Sequence, residues 1–408
     1  MGALYMKKKR DVLFLCQYFY PEYISSATLP YDTAVALKEA GYTVDALCGY
    51  PYEYLDGQEV PLRENVDGIG IHRLKYIRNV HIGKLDRFLS FFSFTLMAFF
   101  HLFEIGKYES VVVYSNPPIL PFVAGCAKKL FGTKLIFVSY DVYPEVAIRT
   151  DSLSGNGLVS RVMRWINRFV FRQADAVVAL SGEMKDFLSG NRPIPEDKVH
   201  IIPNWYEDQG EPNRDRSGNR FAELTAGRFV VSYFGNMGMI HDMDTIRNAV
   251  YALKNDPNVC FLLAGHGRKM QDFKDMVANE GVENLLIYDF LKGQDFLDAL
   301  QISDCAIVSM IESLVGTSVP SKTYSYMMQG LPLIPVMGEC DIVADARRGA
   351  GICVRNGDAA GLVEAIRTMQ GNPQLVQQMQ KTCRELFLAS YTKDICTRKY
   401  VELFRSLL

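Results

Sequence analysis

Two glycine-containing segments in the second half of the chain follow apolar runs and carry residue types that suit phosphate binding. The first is 235–238, Gly-Asn-Met-Gly, and the second is 265–269, Gly-His-Gly-Arg-Lys. Glycine lets a backbone approach a ligand closely, and a helix that starts after such a turn presents free amides to an anion. His266, between two glycines, is open to ligand contact or to a plain solvated turn. The residues predicted to contact ligand are Gly235, Asn236, Gly238, Gly265, Gly267, Arg268 and Lys269.

A third candidate segment, residues 312–326, places a glycine, hydroxyl groups and a lysine ahead of a predicted helix. Lys322 falls in the first turn of that helix, where the helix dipole disfavours a cation. A bound diphosphate would remove this cost, although Ser321 is also compatible with a plain N-cap. The residues predicted to form this diphosphate site are Gly316, Thr317, Ser321, Lys322 and Tyr324.

Three aspartates, Asp141, Asp242 and Asp244, are candidates for a chemical role. Asp141 follows the predicted strand 134–139, so it could orient an acceptor, and a capping role at the strand end is the alternative. Asp242 and Asp244 form an Asp-x-Asp triplet of the kind that can hold a metal. They fall in the first turn of a predicted helix, where acids are favoured for electrostatic reasons. We interpret this pair as helix-capping residues and predict no metal site.

The elements that must position these residues alternate between short β-branched runs and longer helical patterns, which is typical of parallel α/β sheets. The alternation runs twice, with the polar stretch 208–218 between the two runs. We therefore predict Rossmann-like domains over 1–206 and 207–389, whose strand ends face each other across a cleft. Residues 390–408 form either a helix that packs on the first domain or an ordinary terminal helix of the second.

The predicted strands of the first half are 11–16, 43–48, 69–74, 110–114, 134–139, 176–179 and 200–202. Those of the second half are 229–233, 259–264, 285–288, 305–308, 333–335 and 351–354. The main predicted helices are 28–40, 159–172, 241–254 and 267–280.

The order of these motifs resembles glycosyltransferase family 4, a retaining group with the GT-B fold. The resemblance rests on Gly-Asn-x-Gly, Ala-Gly-x-Gly, Val-Pro-Ser-Lys-x-Tyr and Gly-Leu-Pro in the second domain. In the first domain, the matching segments are 18–22, 140–145, 180–181 and 202–204. The nearest likeness is to bacterial transferases of surface-polysaccharide assembly, of the O-antigen and colanic-acid type.

The resemblance implies transfer of a sugar, an N-acetylated hexosamine or deoxyhexosamine, from a nucleotide-sugar donor to a lipid-linked or glycan acceptor. UDP is the expected nucleotide, and no metal or other cofactor is expected. Lys322, Lys269 and Arg268 would stabilise the leaving diphosphate, since preorganised cations act where charge develops. Asp141 would serve the acceptor side, and Glu312 would serve the sugar hydroxyls.

The chain departs from the family pattern at one point. Many members carry two glutamates eight positions apart, and the corresponding residues here are Thr317 and Ser325. The second glutamate typically holds the nucleotide ribose, so this contact is missing its usual residue. This departure keeps open a nucleotide-sugar-binding protein without turnover. An epimerase or phosphorylase of the same fold is a further alternative.

The net charge argues against a nucleic-acid partner, and the cysteine spacing argues against metal and disulfide sites. The chain has 408 residues and a formal net charge of -2, so no overall positive field favours nucleic acid. The nine cysteines show no metal-ligand or disulfide spacing, which favours a reduced, cytoplasmic setting.

One segment raises the question of a membrane. Residues 88–103 contain seven phenylalanines and no charge, with Lys84 and Arg87 before them. The segment is either a buried helix of the first domain or a helix that lies in the interface of the inner leaflet, and it is short for a span. Lys7, Lys8, Lys9 and Arg10 would add to a basic patch.

Overall fold

The computed structural model describes residues 9–52, 59–77 and 84–408. The chain divides into two compact units. The first comprises Met1–Pro203, Thr317–Val319 and Cys396–Leu408, and the second comprises Asn204–Gly316 and Pro320–Ile395.

The first unit is built on an eight-stranded sheet in the order β3-β4-β2-β1-β5-β6-β7-β8. All neighbours are parallel except β3 and β4. The central strands are apolar and almost completely buried, as expected for a parallel sheet covered on both faces. The strands are β1 (Arg10–Cys16), β2 (Val44–Gly49), β3 (Arg63–Val66), β4 (Ile69–Leu74), β5 (Tyr108–Tyr114), β6 (Lys134–Val138), β7 (Ala176–Ala179) and β8 (Val199–Ile201).

Helices connect these strands, as parallel pairing requires. They are α1 (Ser25–Glu39), α2 (Lys84–Phe100), α3 (Leu102–Ile105), α4 (Pro121–Phe131), α5 (Glu145–Arg149), α6 (Leu158–Gln173) and α7 (Gly182–Asn191). No helix among the described residues combines the length and apolar character needed to cross a bilayer.

The second unit is built on a five-stranded parallel sheet in the order β11-β10-β9-β12-β13. Its strands are β9 (Phe229–Asn236), β10 (Val259–His266), β11 (Leu285–Tyr288), β12 (Cys305–Ser309) and β13 (Leu333–Val336). Its helices are α8 (Ala222–Thr225), α9 (Met243–Ala252), α10 (Met270–Asn279), α11 (Gly293–Ile302), α12 (Thr323–Met328), α13 (Asp341–Asp345), α14 (Ala359–Gln370) and α15 (Pro373–Ser390).

The last helix, α16 (Lys393–Leu407), decides between the two alternatives for the C-terminal segment. From Cys396 onward it belongs to the first unit, where the ring of Phe404 lies 6.1 Å from that of Tyr42. Lys134 donates a hydrogen bond to the carbonyl of Leu407. The helix therefore packs on the first unit.

Two strand predictions need correction. Residues 351–354 do not form a strand, because only Gly351 and Val354 make isolated bridges to β13. The polar edge strand β3 was not predicted. It pairs antiparallel with β4 and alternates exposed with half-buried residues, so it lacks the apolar run that marked the other strands.

Candidate functional site

The carboxyl ends of β9 and β10 bring the two glycine segments together. The strands pair in register to their last residues, with Gly235 opposite Gly265 and Asn236 opposite His266. Both strands are longer than predicted, so the first glycine of each segment is the second-last residue of a strand instead of opening a turn. Helices α9 and α10 begin only at Met243 and Met270. The predicted helix starts at 241 and 267 are therefore corrected.

The glycines at this edge are required by the contact between the two strand ends. A Cβ atom on Gly265 would lie 1.8 Å from the carbonyl oxygen of Gly235, and Gly265 has a φ of +155°. A Cβ atom on Gly267 would lie 2.5 Å from Oδ1 of Asn236 and 2.6 Å from the carbonyl oxygen of Met237. Close backbone packing thus explains these two residues without a ligand, and it leaves the adjacent amides at a strand edge where a ligand can approach.

Lys322 extends over the end of β9. Its Cγ lies 3.7 Å from the position that a Cβ on Gly235 would take, and its Nζ lies 5.0 Å and 5.6 Å from the ring centres of Phe296 and Phe290. The side chain is half-buried and has no carboxylate within ion-pair distance among the described residues. Burial lowers the pKa of Lys322. A cation in this setting gains from an anionic ligand, because desolvation strengthens the attraction.

Tyr326 holds α12, and with it Lys322, against the sheet. The hydroxyl of Tyr326 accepts a hydrogen bond from the amide of Phe234 at 2.7 Å and donates to its carbonyl at 3.1 Å. These backbone groups are free for it because β12 pairs with β9 only at Val231 and Ser232. Sequence reasoning assigned Tyr326 no role. The hydrogen bonds between Tyr326 and the backbone of this apolar strand can be recognised only in the three-dimensional structure.

Phe290 was also missed. It follows β11, its side chain is 39% exposed, and its ring centre lies 6.3 Å from that of His266. The rule that ligands bind at the carboxyl ends of parallel strands would have pointed to it, since β11 neighbours β10 in the sheet. His266, Phe290 and Lys322 therefore form one polar and aromatic cluster beside the glycines.

The helix after residue 320 starts later than predicted. Helix α12 begins at Thr323, and Lys322 occupies its N-cap position without a side-chain capping bond. Lys322 is therefore outside the first turn, and Ser321 is not the N-cap. The helix dipole therefore does not disfavour Lys322 in the way predicted. The burial and position of Lys322 still favour an anion.

The other residues of this segment that were predicted to contact the nucleotide-sugar donor differ in their accessibility. Tyr324 is buried and packs 5.2 Å from the ring of Tyr391, so its side chain is not available to a ligand in this structure. Gly316 is buried with a φ of +77°. Glu312 is exposed, and its Cγ packs against Gly338.

Two charged residues at the strand edge differ in their availability. The Nζ of Lys269 forms a 2.5 Å ion pair with Asp244, and the amide of Lys269 donates to the carbonyl of Met237. Arg268 is exposed and forms no ion pair with a described residue. Arg268 is thus the freer of the two cations for a phosphate.

The Asp-x-Asp pair is engaged in structural contacts. Asp242 is the N-cap of α9 and accepts hydrogen bonds from the amides of Thr245 and Gly357 and from the side chain of Asn356. Burial by itself raises the pKa of Asp242, but these hydrogen bonds together lower it by more. The pKa therefore lies below its ordinary value. The capping interpretation of Asp242 agrees with these contacts, and Asp244 pairs with Lys269.

In the first unit, Asp141 follows β6 as predicted. Its amide donates to Oγ of Ser115 at 3.1 Å, and its carboxylate accepts from the hydroxyl of Ser318 at 2.6 Å. Burial raises the pKa of Asp141, and the hydrogen bond from Ser318 offsets part of that rise. A half-buried carboxylate with a raised pKa is suited to proton transfer or to positioning a hydroxyl group.

Thr317, which was also predicted to contact the nucleotide-sugar donor, lies in the first unit. It is fully buried, its carbonyl accepts from the amide of Val142 at 2.8 Å, and its hydroxyl lies 3.5 Å from Arg149. Glu145 forms an ion pair with Arg192 at the start of α5, which accounts for an acid there without a catalytic role.

Comparisons with known proteins identify the family. Residues 27–205 match the glycosyl transferase 4-like domain, and residues 228–372 match the glycosyl transferases of group 1. Together these ranges cover most of both units. The chain belongs to the GT4-type glycosyltransferases with the GT-B fold.

Relatives agree with this assignment. The probable glycosyltransferase WbjE of Pseudomonas aeruginosa is 24% identical over 231 residues, which is 56% of this chain and 57% of WbjE. The match thus spans little more than half the length of that relative.

Solved structures show the same fold. Sucrose-phosphate synthase from Thermosynechococcus elongatus superposes with a TM-score of 0.72 at 15% identity, over 98% of this chain and 99% of that one. Anabaena HepE in complex with UDP-glucose gives a TM-score of 0.71 at 14% identity, over 97% and 100%. At these identities, the likeness concerns the fold alone.

The family's glutamate positions are buried in this glycosyltransferase. Thr317 is fully buried, and Ser325 is 1% exposed, with its hydroxyl donating to the carbonyl of Lys322 at 2.8 Å. Neither position presents a charge to a ribose. Any contact to the ribose of a bound nucleotide must therefore come from a residue other than these two.

One cluster of metal-ligand residue types was not expected from the sequence. His72, His101 and Glu104 of the first unit have ligand atoms within 4.8 Å of one another. His72 is already engaged, with Nδ1 3.1 Å from Glu104 and Nε2 3.3 Å from the guanidinium of Arg63. A guanidinium so close to the possible ligand atom disfavours a bound cation.

Proposed function

We propose that this glycosyltransferase transfers a sugar, with retention of its anomeric configuration, from a UDP-linked donor to a lipid-linked or glycan acceptor in surface-polysaccharide biosynthesis. The favoured sugar is an N-acetylated hexosamine or deoxyhexosamine. The observation that carries the proposal is Lys322, a half-buried cation without an ion pair among the described residues, set over the glycine end of β9. HepE, a structural neighbour, was solved with UDP-glucose, which supports the choice of UDP.

In the proposed reaction, the bond between the anomeric carbon and the diphosphate oxygen breaks as the acceptor oxygen forms its own bond to that carbon. The electron pair stays on the diphosphate, and the proton of the acceptor hydroxyl is transferred to the leaving phosphate oxygen. Lys322 and Arg268 stabilise the charge that develops on the diphosphate. The amides beside Gly235 and Gly265 offer further donors, and the proposal invokes no metal ion.

Phe290 and His266 are proposed to bind the nucleotide part of the donor. An exposed aromatic ring stacks on a flat base, and Phe290 lies beside the cation that would hold the diphosphate. Glu312 is exposed and is proposed to bind sugar hydroxyl groups. Asp141 is proposed to position the acceptor hydroxyl or to steady the cationic sugar.

A lipid-linked acceptor would be reached from the membrane surface, and α2 is proposed to contact the inner leaflet. Its inner face, with Phe94 and Ala98, is fully buried. Its outer face carries large apolar side chains that are 42% to 69% exposed: Phe88, Phe92, Leu96, Phe99 and Phe100. The buried alternative therefore describes the inner face, and the exposed apolar side chains of the outer face support the proposed contact with the inner leaflet. Lys7 and Lys8 lie outside the described residues, as do the side chains of Lys84 and Arg87.

The altered family positions favour one rival function, which is donor binding without turnover. A panel of UDP-, GDP- and dTDP-linked sugars, incubated with the protein and membrane extract, separates the two. We expect UDP release and a labelled glycolipid with one UDP-sugar. Saturable binding of that donor without either product would establish the rival, and turnover only with a GDP- or dTDP-sugar would contradict the assignment of UDP.

We predict that Asp141 sets the acid limb of the pH profile of transfer. Its pKa is raised by burial, so activity should fall as the pH falls through this raised value and the carboxylate becomes protonated. Ser318→Ala removes a hydrogen bond to the ionised form and should move the limb to higher pH. Asp141→Asn should remove the limb and lower kcat about 100-fold or more.

The profile is measured as initial rates of UDP release across pH. Thr150→Ser, a conservative change at a buried hydroxyl of the same unit, is the control and should leave the limb in place. A limb that stays unchanged in both Ser318→Ala and Asp141→Asn would contradict the role of Asp141.

A further inference from the structure

Helix α6 of the first unit has one buried face and two distinct exposed stripes. Ile166 and Val170 are buried in the core. The exposed part separates into an apolar stripe and a basic stripe, each at the three- and four-residue spacing that places side chains on one side of a helix. Packing in the core accounts for the buried face only, so the exposed apolar stripe needs another explanation.

The apolar stripe consists of Leu158, Val162 and Trp165, which are exposed, and continues to Phe169, which is half-buried. Leu158 is 77% exposed, and Trp165 is 59% exposed. Large apolar side chains are rarely left so open in a row on a protein surface without a partner. Tryptophan is also the residue type that is enriched at the level of lipid headgroups.

The basic stripe consists of Arg161, Arg168 and Arg172, with Arg164 beside it. All four are exposed, and none forms an ion pair with a described residue. Arg164 alone is tied down, by a hydrogen bond to the carbonyl of Gly155. The sequence of α6 contains no aspartate or glutamate. Asp175, which follows the helix, is already paired with Lys128.

The apolar stripe continues onto α4. The ring of Phe122 lies 5.7 Å from that of Trp165 and 5.3 Å from that of Phe169. Further along α4, Leu130 is 64% exposed. Helix α4 packs against both α6 and α2. Helix α4 thus contacts both other helices, and each of the three exposes large apolar side chains, with the arginines on α6.

We propose that α6 is an anionic-lipid-binding element that places Trp165 in the headgroup region and its three arginines on phosphate groups. The inference rests on the proposed peripheral membrane contact of α2 and adds to it the electrostatic part. Charge complementarity identifies the occupant: an unpaired row of cations beside an apolar stripe fits an anionic bilayer. The acceptor would then be met at the surface where it is anchored.

Vesicle flotation of the full chain tests the proposal. The protein should float with vesicles of phosphatidylcholine and phosphatidylglycerol but not with phosphatidylcholine alone, and salt should weaken this binding. The triple variant Arg161→Gln, Arg168→Gln, Arg172→Gln should partition about 100-fold less, because each surface cation contributes roughly a fivefold gain on an anionic membrane.

The control variant is Arg367→Gln, Lys381→Gln, Arg405→Gln, which removes the same charge from exposed positions of other helices. It should partition as the wild type does. Equal partitioning of the two triple variants would overturn the proposal. A wild-type dimer that the α6 variant abolishes, without any vesicle binding, would also overturn it and assign this surface to a second copy of the chain.

Tryptophan emission reports the depth of α6 directly. The chain has two tryptophans, and Trp205 is only 6% exposed. Anionic vesicles with brominated acyl chains should quench wild-type emission, and Trp165→Phe should remove most of this quenching. Full emission from vesicle-bound wild type would show that α6 stays out of the interface and would contradict the proposal.

Donor turnover without vesicles separates this inference from the proposed function. The α6 variant should release UDP from the donor at the wild-type rate while it fails to float. Turnover by a wild-type protein that binds no anionic vesicle would refute the lipid-binding role and leave the transferase in place. Vesicle binding without turnover of any donor would refute the transferase and leave the lipid-binding role.

Discussion

Replacing Lys322 with methionine is expected to weaken UDP binding roughly 10- to 100-fold and to lower kcat by about 100-fold or more. Methionine keeps the apolar stem that packs over Gly235 and near Phe296 and removes only the charge. A half-buried cation opposite a diphosphate contributes more than an exposed one, because water screens it less. Calorimetric titration with UDP and initial rates measure the two effects.

The melting temperature of the unliganded variant should change little or rise. Burial lowers the pKa of Lys322, which means that the folded protein holds this charge at a cost. Lys274→Met is the control, since Lys274 is a lysine of the same unit whose side chain is 43% exposed and pairs with Asp289. Unchanged UDP affinity in Lys322→Met would place the diphosphate elsewhere. An equal loss in Lys274→Met would reduce the effect to net charge.

The same residue makes UDP binding dependent on pH. The pKa of Lys322 lies below its ordinary value of 10.5, and a bound diphosphate favours the protonated ammonium and raises it. A proton is therefore taken up by Lys322 when the ligand binds, and the affinity for UDP should fall as the pH rises through the lowered pKa of Lys322. This alkaline fall should be absent from Lys322→Met.

Gly265→Ala is expected to destabilise the second unit by about 3 to 5 kcal/mol or to prevent its folding. The new methyl group would lie 1.8 Å from the carbonyl oxygen of Gly235, which is backbone and cannot rotate away. The strand ends would have to separate, and the edge that carries the proposed site would be lost with them. Scanning calorimetry of the purified variant measures the change.

Gly281→Ala is the matched control. Gly281 also has a positive φ, of +67°, but a Cβ atom there would meet nothing within 4 Å. It should cost only the backbone strain of about 1 to 2 kcal/mol. A similar loss in both variants would mean that backbone conformation, and not the contact between the strand ends, determines the requirement for glycine at 265.

Most of the fold could be predicted, because the strands of a parallel sheet have a recognisable sequence pattern. Strands buried on both faces need continuous apolar runs, such as 111–113 and 230–231, and these stand out from their polar surroundings. The failures occurred where that signal was absent or misleading. The polar edge strand β3 has no apolar run, and the apolar residues near 351–354 make only isolated bridges to β13.

The site was predicted less completely than the fold. The glycine segments and Lys322 could be found because glycines and cations at strand ends are few and suit phosphate. Tyr326 and Phe290 could not be assigned roles, because a tyrosine or phenylalanine in an apolar context is usually part of a core. The separate availability of Lys269 and Arg268 depends on Asp244, which lies 25 positions from Lys269 in the chain.

The sequence by itself determined the two α/β runs, the family, and the segments that the donor is proposed to contact. These depend on local patterns of hydrophobicity and on residue types that a backbone conformation or a phosphate requires. Only the tertiary structure decided that Gly265 is needed by Gly235, that Tyr324 is buried, that α16 packs on the first unit, and that α6 exposes a second apolar stripe. Each of these is a contact or an exposure set by residues distant in the chain, and no local pattern records which distant residue will lie opposite.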